Sequence, residues 1–346
     1  MMEQSHSKWQ KLMERAKKEN WGMLPSPPDE RDWPLFRIAK IPEVLPKKVD
    51  LSHHIPFILD QQGCGVCVAK SGVNALNVFF NSKKMLPDKG LSSLFLYTRC
   101  KQEDGMPDDE GTYPRVALKI MQKEGVCSAK LLPFEGKCKP LPVLTQQMKS
   151  NAQNYKIKAY ARVYGVEQIK QALAAGKAVM VGTMVTKDNW LDGDEWILEP
   201  LGQWLGLHAT LLCGYDDTLE HAGYRGFFKG INSWGEGWGE KGFYYMAYDY
   251  TKWENKDLPG LFALMEAWAV EFEEVLQPPE PSKKIELWID QPIAKINETE
   301  TMIDPANPKV TPKIIEGRTM LPARFIAEAL GKEVSWDEKE RKVTIE

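Results

Sequence analysis

The stretch Gln61-Gln62-Gly63-Cys64-Gly65-Val66-Cys67-Val68-Ala69 decides how this chain is read. Gly63 and Gly65 flank Cys64, and glycine gives a tight turn the backbone freedom it needs. Beyond Cys67, the apolar residues Ala69, Val73, Leu76 and Phe80 recur at helical spacing, which predicts a helix beginning at the cysteine. A thiol in the first turn of a helix faces the positive end of the macrodipole. That favours the thiolate, the nucleophilic form. Far downstream, His208 lies in Gly206-Leu207-His208-Ala209-Thr210-Leu211-Leu212, an apolar run that stays strand-like to Tyr215. Asn232 follows a second strand-like run and opens Asn232-Ser233-Trp234-Gly235-Glu236-Gly237-Trp238-Gly239. A thiol, an imidazole and an amide in this order are the parts of a cysteine nucleophile, its base and the group that orients the base.

Each part also has a plainer reading. A buried cysteine is usually a small hydrophobe. A histidine on an apolar strand is usually a core residue, and a loop of glycine and tryptophan usually packs. Only the joint occurrence, in this order, favours chemistry. The other histidines compete poorly. His53 and His54 lack a hydrophobic frame and are expected to face solvent. His221 falls in the polar run 216–223, expected to be a solvated loop, and His6 lies in the N-terminal arm. Cys64 and Cys67 form a CxxC with no second half, so zinc spacing is missing, and no βαβ context supports a thioredoxin-type site.

These residues resemble the papain-like (C1-type) cysteine peptidases, whose nucleophile also sits in a glycine- and cysteine-bearing turn with His and Asn far downstream. The resemblance covers residues 45–275, and the Asn-Ser-Trp-Gly-x-Gly-Trp-Gly run is its most specific motif. It implies an α+β, papain-like two-lobed fold: a helical lobe to near Pro140, then a β-rich lobe with strands over 179–185, 207–215, 226–232 and 242–247. It implies Cys67 as nucleophile, His208 as proton carrier and Asn232 as its orienter. The Gln61 side chain and the Cys67 backbone N–H would form the oxyanion hole. Substrate contacts would come from Gly65, Gly111, Thr112, Leu207, Trp234 and Trp238. Trp234 would shield the His–Asn hydrogen bond, and Trp238 would wall the leaving-group side. The activity implied is a cysteine endopeptidase that hydrolyses peptide bonds through a thioester acyl-enzyme, with a polypeptide substrate and no metal or cofactor. Two alternatives share the residues: a catalytically silent peptide-binding scaffold, and a cell-wall-directed amidase or transpeptidase.

The chain departs from the family pattern at several places. Val68 replaces an aromatic residue and Val66 a small polar one. Asp109-Glu110-Gly111-Thr112-Tyr113-Pro114 aligns with a family stretch reading Cys-Asn-Gly-Gly-Tyr-Pro. The cysteine that usually bridges to the Cys64 position is therefore Asp109, and the second glycine of the substrate-binding strand is Thr112. The groove is expected to be narrower or differently shaped, as in a bacterial branch. Cys100 and Cys138 fall near positions that the family bridges, whereas Cys127 and Cys213 read as buried thiols.

Composition sets the remaining bounds. The 346 residues are enough for two domains, and a net charge of −3 implies no general attraction to nucleic acid or anionic lipid. No apolar run reaches membrane-spanning length, and the first residues lack the apolar core of a secretion signal. Residues 1–44 read as a helix over 7–20 followed by a Pro-rich extended arm. The arm is expected to dock on the surface away from Cys67, because Asp29-Glu30-Arg31-Asp32 would be costly to bury in a groove. The peptidase domain spans 45–275, and 276–284 reads as a stiff Pro-rich linker.

Residues 285–346 change pattern: a strand at 285–289, a helix stopped by Gly331, and a closing hairpin over 334–345. They resemble the copper amine oxidase N-terminal-like module of Gram-positive surface proteins. That resemblance suggests an extracellular or cell-surface setting, with a cell-wall or surface ligand for this small α+β module. It promises no copper, because no His or Cys follows His221.

Overall fold

The computed structural model describes residues 22–27, 29, 32–254, 262–272, 284–297, 299–330 and 332–345. The helix expected over 7–20 and nearly all of the expected linker lie outside these residues. The chain divides into two compact units, Met1–Leu276 and Gln277–Glu346.

In the first unit the helical part comes first. Helix α1, Cys67–Ser82, starts at the cysteine as the spacing predicts. Ala69, Val73, Leu76 and Phe80 are all buried on it. It packs with α2, Ser93–Glu103, and α3, Pro114–Lys123. Ser92 caps α2 by accepting the Phe95 N–H at 3.0 Å, and Pro114 opens α3, where its missing N–H costs nothing. Gly72 lets α1 approach its neighbours, since a Cβ there would stand 3.0 Å from Met121 Sδ and 3.1 Å from Leu96 Cδ2.

The strand-rich part forms one mixed sheet. Its members are β1 (Lys48–Asp50), β2 (Ala159–Val163), β3 (Val179–Thr186), β4 (Trp196–Ile197), β5 (Trp204–His221), β6 (Tyr224–Ile231), β7 (Phe243–Ala247) and β8 (Leu264–Glu271). The order is β2-β8-β3-β5-β6-β7-β4, with β1 also on β5. All pairs are antiparallel except β4 with β7. β3 is buried at every position, which suits a central strand covered on both faces. Register places Thr183 opposite His208, and Leu211 opposite Ile231. The Asn that follows β6 is thereby carried to the His on β5.

β5 is longer than the expected 207–215. It runs on through 216–221, so His221 lies at a strand end rather than in a solvated loop, its ring stacked on Trp196 at 3.9 Å. The polar residues of that stretch pair with β6 instead of turning.

The second unit is small and thinly buried. A three-stranded sheet, Ile285–Leu287, Ile293–Ile296 and Thr299–Met302, is joined by the hairpins Lys313–Ile315/Arg318–Met320 and Val334–Asp337/Lys342–Ile345. One helix, Ala323–Ala329, completes it. No helix among the described residues is long and apolar enough to cross a membrane.

Candidate active site

Cys67 is the first residue of α1, and its sulfur is fully buried. The thiol lies near the backbone N–H groups of Ala209 and Val68. Ala209 precedes Thr210 on β5 and follows His208, so Cys67 lies beside the strand that carries the histidine. A second tie holds the same interface: Ser71 Oγ donates to the Thr210 carbonyl at 2.7 Å, across 139 residues of sequence.

His208 Nε2 and Asn232 Oδ1 are 2.7 Å apart. The Trp234 ring lies tilted over the imidazole with centroids 4.9 Å apart, shielding that hydrogen bond from water. Trp190 closes the site from behind, edge-on to His208 at 6.1 Å and stacked on Trp238 at 5.9 Å. Trp238 Nε1 donates to the Trp190 carbonyl at 2.8 Å. Burial pushes the Cys67 thiol up to about 12, with nearby backbone N–H groups opposing the shift. It pulls His208 down to about 4, against the Asn232 hydrogen bond. In this closed arrangement the pair rests as neutral thiol and neutral imidazole.

Gln61 lies at the mouth of the turn. Its Nε2 donates to the Cys64 carbonyl at 3.1 Å, and its Oε1 accepts the Ser233 hydroxyl at 2.8 Å. Ser233 N–H in turn donates to Asn232 Oδ1 at 2.7 Å. One serine therefore contacts both the amide hydrogen-bonded to His208 and the amide expected at the oxyanion hole.

The N-terminal arm enters this cleft, contrary to the expectation that it docks elsewhere. A Cβ built on Gly22 would stand 3.0 Å from Cys67 Sγ and 3.5 Å from Gly65 Cα. Met23 pairs with Thr112 in a parallel bridge, and Leu24 N–H donates to the Thr112 carbonyl at 3.0 Å. Met23 and Leu24 are 0% and 1% exposed. The Met23 thioether occupies the space where Gly182 lacks a side chain, beside Glu266. Ser26 N–H donates to Glu266 Oε1 at 3.0 Å. Among the described residues of the arm, 22–26, which carry no charge, lie along the groove. Asp32 sits farther on, where Arg115 Nε donates to its Oδ1 at 3.0 Å.

The remaining expected contact residues divide. Gly65, Gly111 and Thr112 line the path of the arm: Gly65 N–H donates to Glu110 Oε2 at 3.1 Å, and Gly111 has φ of 72°. Thr112 makes its contacts through backbone atoms, so the loss of the family glycine leaves the pairing intact. Leu207 stands apart. It is buried, and as the strand neighbour of His208 it points its side chain to the opposite face, leaving only its backbone near the site.

The family model for papain family cysteine proteases matches residues 45–257, and that for the copper amine oxidase N-terminal domain matches 269–345. The chain belongs to the papain family of cysteine proteases. Xylellain, a cysteine protease from Xylella fastidiosa, is 28% identical with a TM-score of 0.61, covering 75% of this chain and 98% of that one. An uncharacterized peptidase C1-like protein of Acanthamoeba polyphaga mimivirus is 26% identical over 276 residues, 68% of this chain and 84% of the relative. A procathepsin B from Trypanosoma congolense shares the fold at 17% identity and a TM-score of 0.56, covering 74% of this chain and 88% of that one. The chain is thus a papain-like cysteine peptidase with a copper amine oxidase N-terminal domain, and its likeness to xylellain supports a bacterial branch. The donor set of that second domain does not fit copper: it has neither His nor Cys, and among the described residues no three His, Cys, Asp or Glu side chains gather as metal ligands.

Several residues of this papain-family site escaped sequence reading. Ser71, Ser233 and Trp190 act through partners distant in sequence. Lys101 is another. Its ammonium donates to the Gly111 carbonyl and pairs with Asp104, each at 2.9 Å, with both side chains at 0% exposure. It fixes the strand that meets the arm, and removing one member of such a buried pair typically costs about 3–5 kcal/mol. A lysine two turns into a helix carries no sequence signal of this role.

Proposed function

We propose that this papain-family peptidase is an endopeptidase that cleaves extended polypeptides through a thioester on Cys67, and that residues 22–26 hold it closed. The observation that carries the first part is the convergence of Cys67, His208, Asn232 and Gln61 on one end of the α1–β5 interface. Cys67 Sγ attacks the scissile carbonyl carbon while His208 takes the thiol proton. The oxyanion is met by the Cys67 N–H and by the Gln61 N–H that is not given to Cys64. Collapse breaks the C–N bond, and His208 returns the proton to the leaving amine. Water then attacks the thioester, losing a proton to His208, and the acid and the thiol are released. Asn232 keeps the imidazole in register throughout.

The second part rests on the arm. A substrate needs the space over Cys67 Sγ and the backbone of Thr112, and Gly22 and Met23 occupy both. The C-terminal domain is read as a binding module for a cell-wall or surface ligand, apart from the chemistry.

The test is a peptide library offered to the full chain and to its Cys67→Ala variant. Cleavage at internal bonds by the first, and loss of at least about 10⁴-fold in the second with an unchanged circular dichroism spectrum, is expected. Equal cleavage by both would remove Cys67 from the mechanism.

A further inference from the structure

Two thiols stand beside the site that the chemistry does not use. Cys64 and Cys138 lie close enough for their thiols to interact. Cys64 Sγ also reaches the Gly136 carbonyl at 3.6 Å, so the turn before α1 lies directly on the segment 136–138. The Gln62 side chain fills the space where Gly136 has no Cβ, which makes the approach close along its whole length. Both cysteines lie just under the surface, at 8% and 6% exposure, unlike Cys67, Cys100 and Cys213, which are at 0%.

The surroundings of the two sulfurs differ. The Lys70 ammonium lies near Cys64 and rests 3.8 Å over the Phe134 ring. Cys138 faces Glu110, and burial raises its thiol to about 12.

We propose that Cys64 and Cys138 form a redox-modification site, oxidised to an intramolecular disulfide by small-molecule disulfides. Cys64 thiolate attacks one sulfur of the disulfide, forming a Cys64 mixed disulfide and expelling one small thiolate. Cys138 then attacks Cys64 Sγ, forming the Cys64–Cys138 bond and expelling the second. The two protein thiols are oxidised, the small disulfide is reduced to two thiols, and these carry away the two protein protons. Asp109 offers no thiol to compete for Cys64. The bond would tie down the loop that holds Gln61, since Gln61 Nε2 donates to the Cys64 carbonyl.

The test uses the full chain carrying Cys67→Ala, so that the nucleophile cannot enter the exchange. After incubation with glutathione disulfide, the chain is examined by intact mass, non-reducing peptide mapping and thermal unfolding. Expected is a species about 2 Da lighter whose map joins the Cys64 and Cys138 peptides. Its Tm should rise by about 5 °C, and dithiothreitol should reverse the rise. Adding Cys64→Ser or Cys138→Ser should abolish both changes. Should either serine variant fail to fold, the map of the parent chain decides alone. Glutathione adducts without a bridge, a bridge from Cys64 to any other cysteine, or two unreacted thiols would overturn the proposal.

Discussion

Two regions meet at the Cys67 sulfur, and they are written in different ways. One is the wall formed by the start of α1, His208 on β5 and the Asn232 loop. The other is the arm, Gly22 to Ser26, which lies over it. The wall depends on side-chain identity at each position, because the nucleophile, base and orienting amide proposed for it have few substitutes. The arm depends on backbone and on lack of bulk. Gly22 fits because it has no side chain, Met23 because Gly182 leaves room for it, and Leu24 is held through its N–H. A region specified by identity leaves a motif, and one specified by fit leaves almost none.

The comparison is tested first on the wall, where the largest losses are expected. His208→Ala should lower kcat/KM by about 10⁴-fold because it removes the proton carrier. Asn232→Ala should lower it by only about tenfold, since thiol and imidazole still meet. Equal losses, read from steady-state cleavage of one peptide, would show that the two roles are misassigned. Next is Gln61→Ala, expected to cost about 10²–10³ in kcat with little change in KM, as for any lost oxyanion donor. A loss confined to KM would mean that Gln61 binds substrate and leaves the oxyanion to other groups.

The arm should respond in the opposite direction and by less. Met23→Glu sets a carboxylate against Glu266 in a buried space, which should displace the arm and raise peptide cleavage about tenfold. Unchanged or lower activity, with the fold intact, would show that the arm does not limit access.

What the sequence made legible follows the same division. The start of α1 was plain from the apolar spacing after Cys67, and the strands around His208 and Asn232 from their apolar runs. Asn232-Ser233-Trp234 announced its loop, although Ser233 proved to be the atom-by-atom link between Asn232 and Gln61. Hidden were the contacts that need two distant segments at once. Ser71 with Thr210 is one, and Lys101 with the Gly111 carbonyl another. The arm is hard to read because its charged residues and its cleft-filling residues adjoin in sequence. Nothing in the sequence said that Arg115 would take Asp32 and leave 22–26 free for the groove.

The central claim is that the catalytic pair is assembled but covered, and the rate at which Cys67 is alkylated reports both conditions. Labelling by a vinyl sulfone is followed from about pH 5 to pH 9 in the full chain and in its Met23→Glu variant. Burial holds the covered thiol near 12 and its imidazole near 4, so the full chain should label slowly and gain rate only toward the alkaline end. Uncovering the sulfur removes part of the desolvation that raises it, and the variant should label rapidly at neutral pH. Identical rates and identical pH profiles for the two chains would contradict the account.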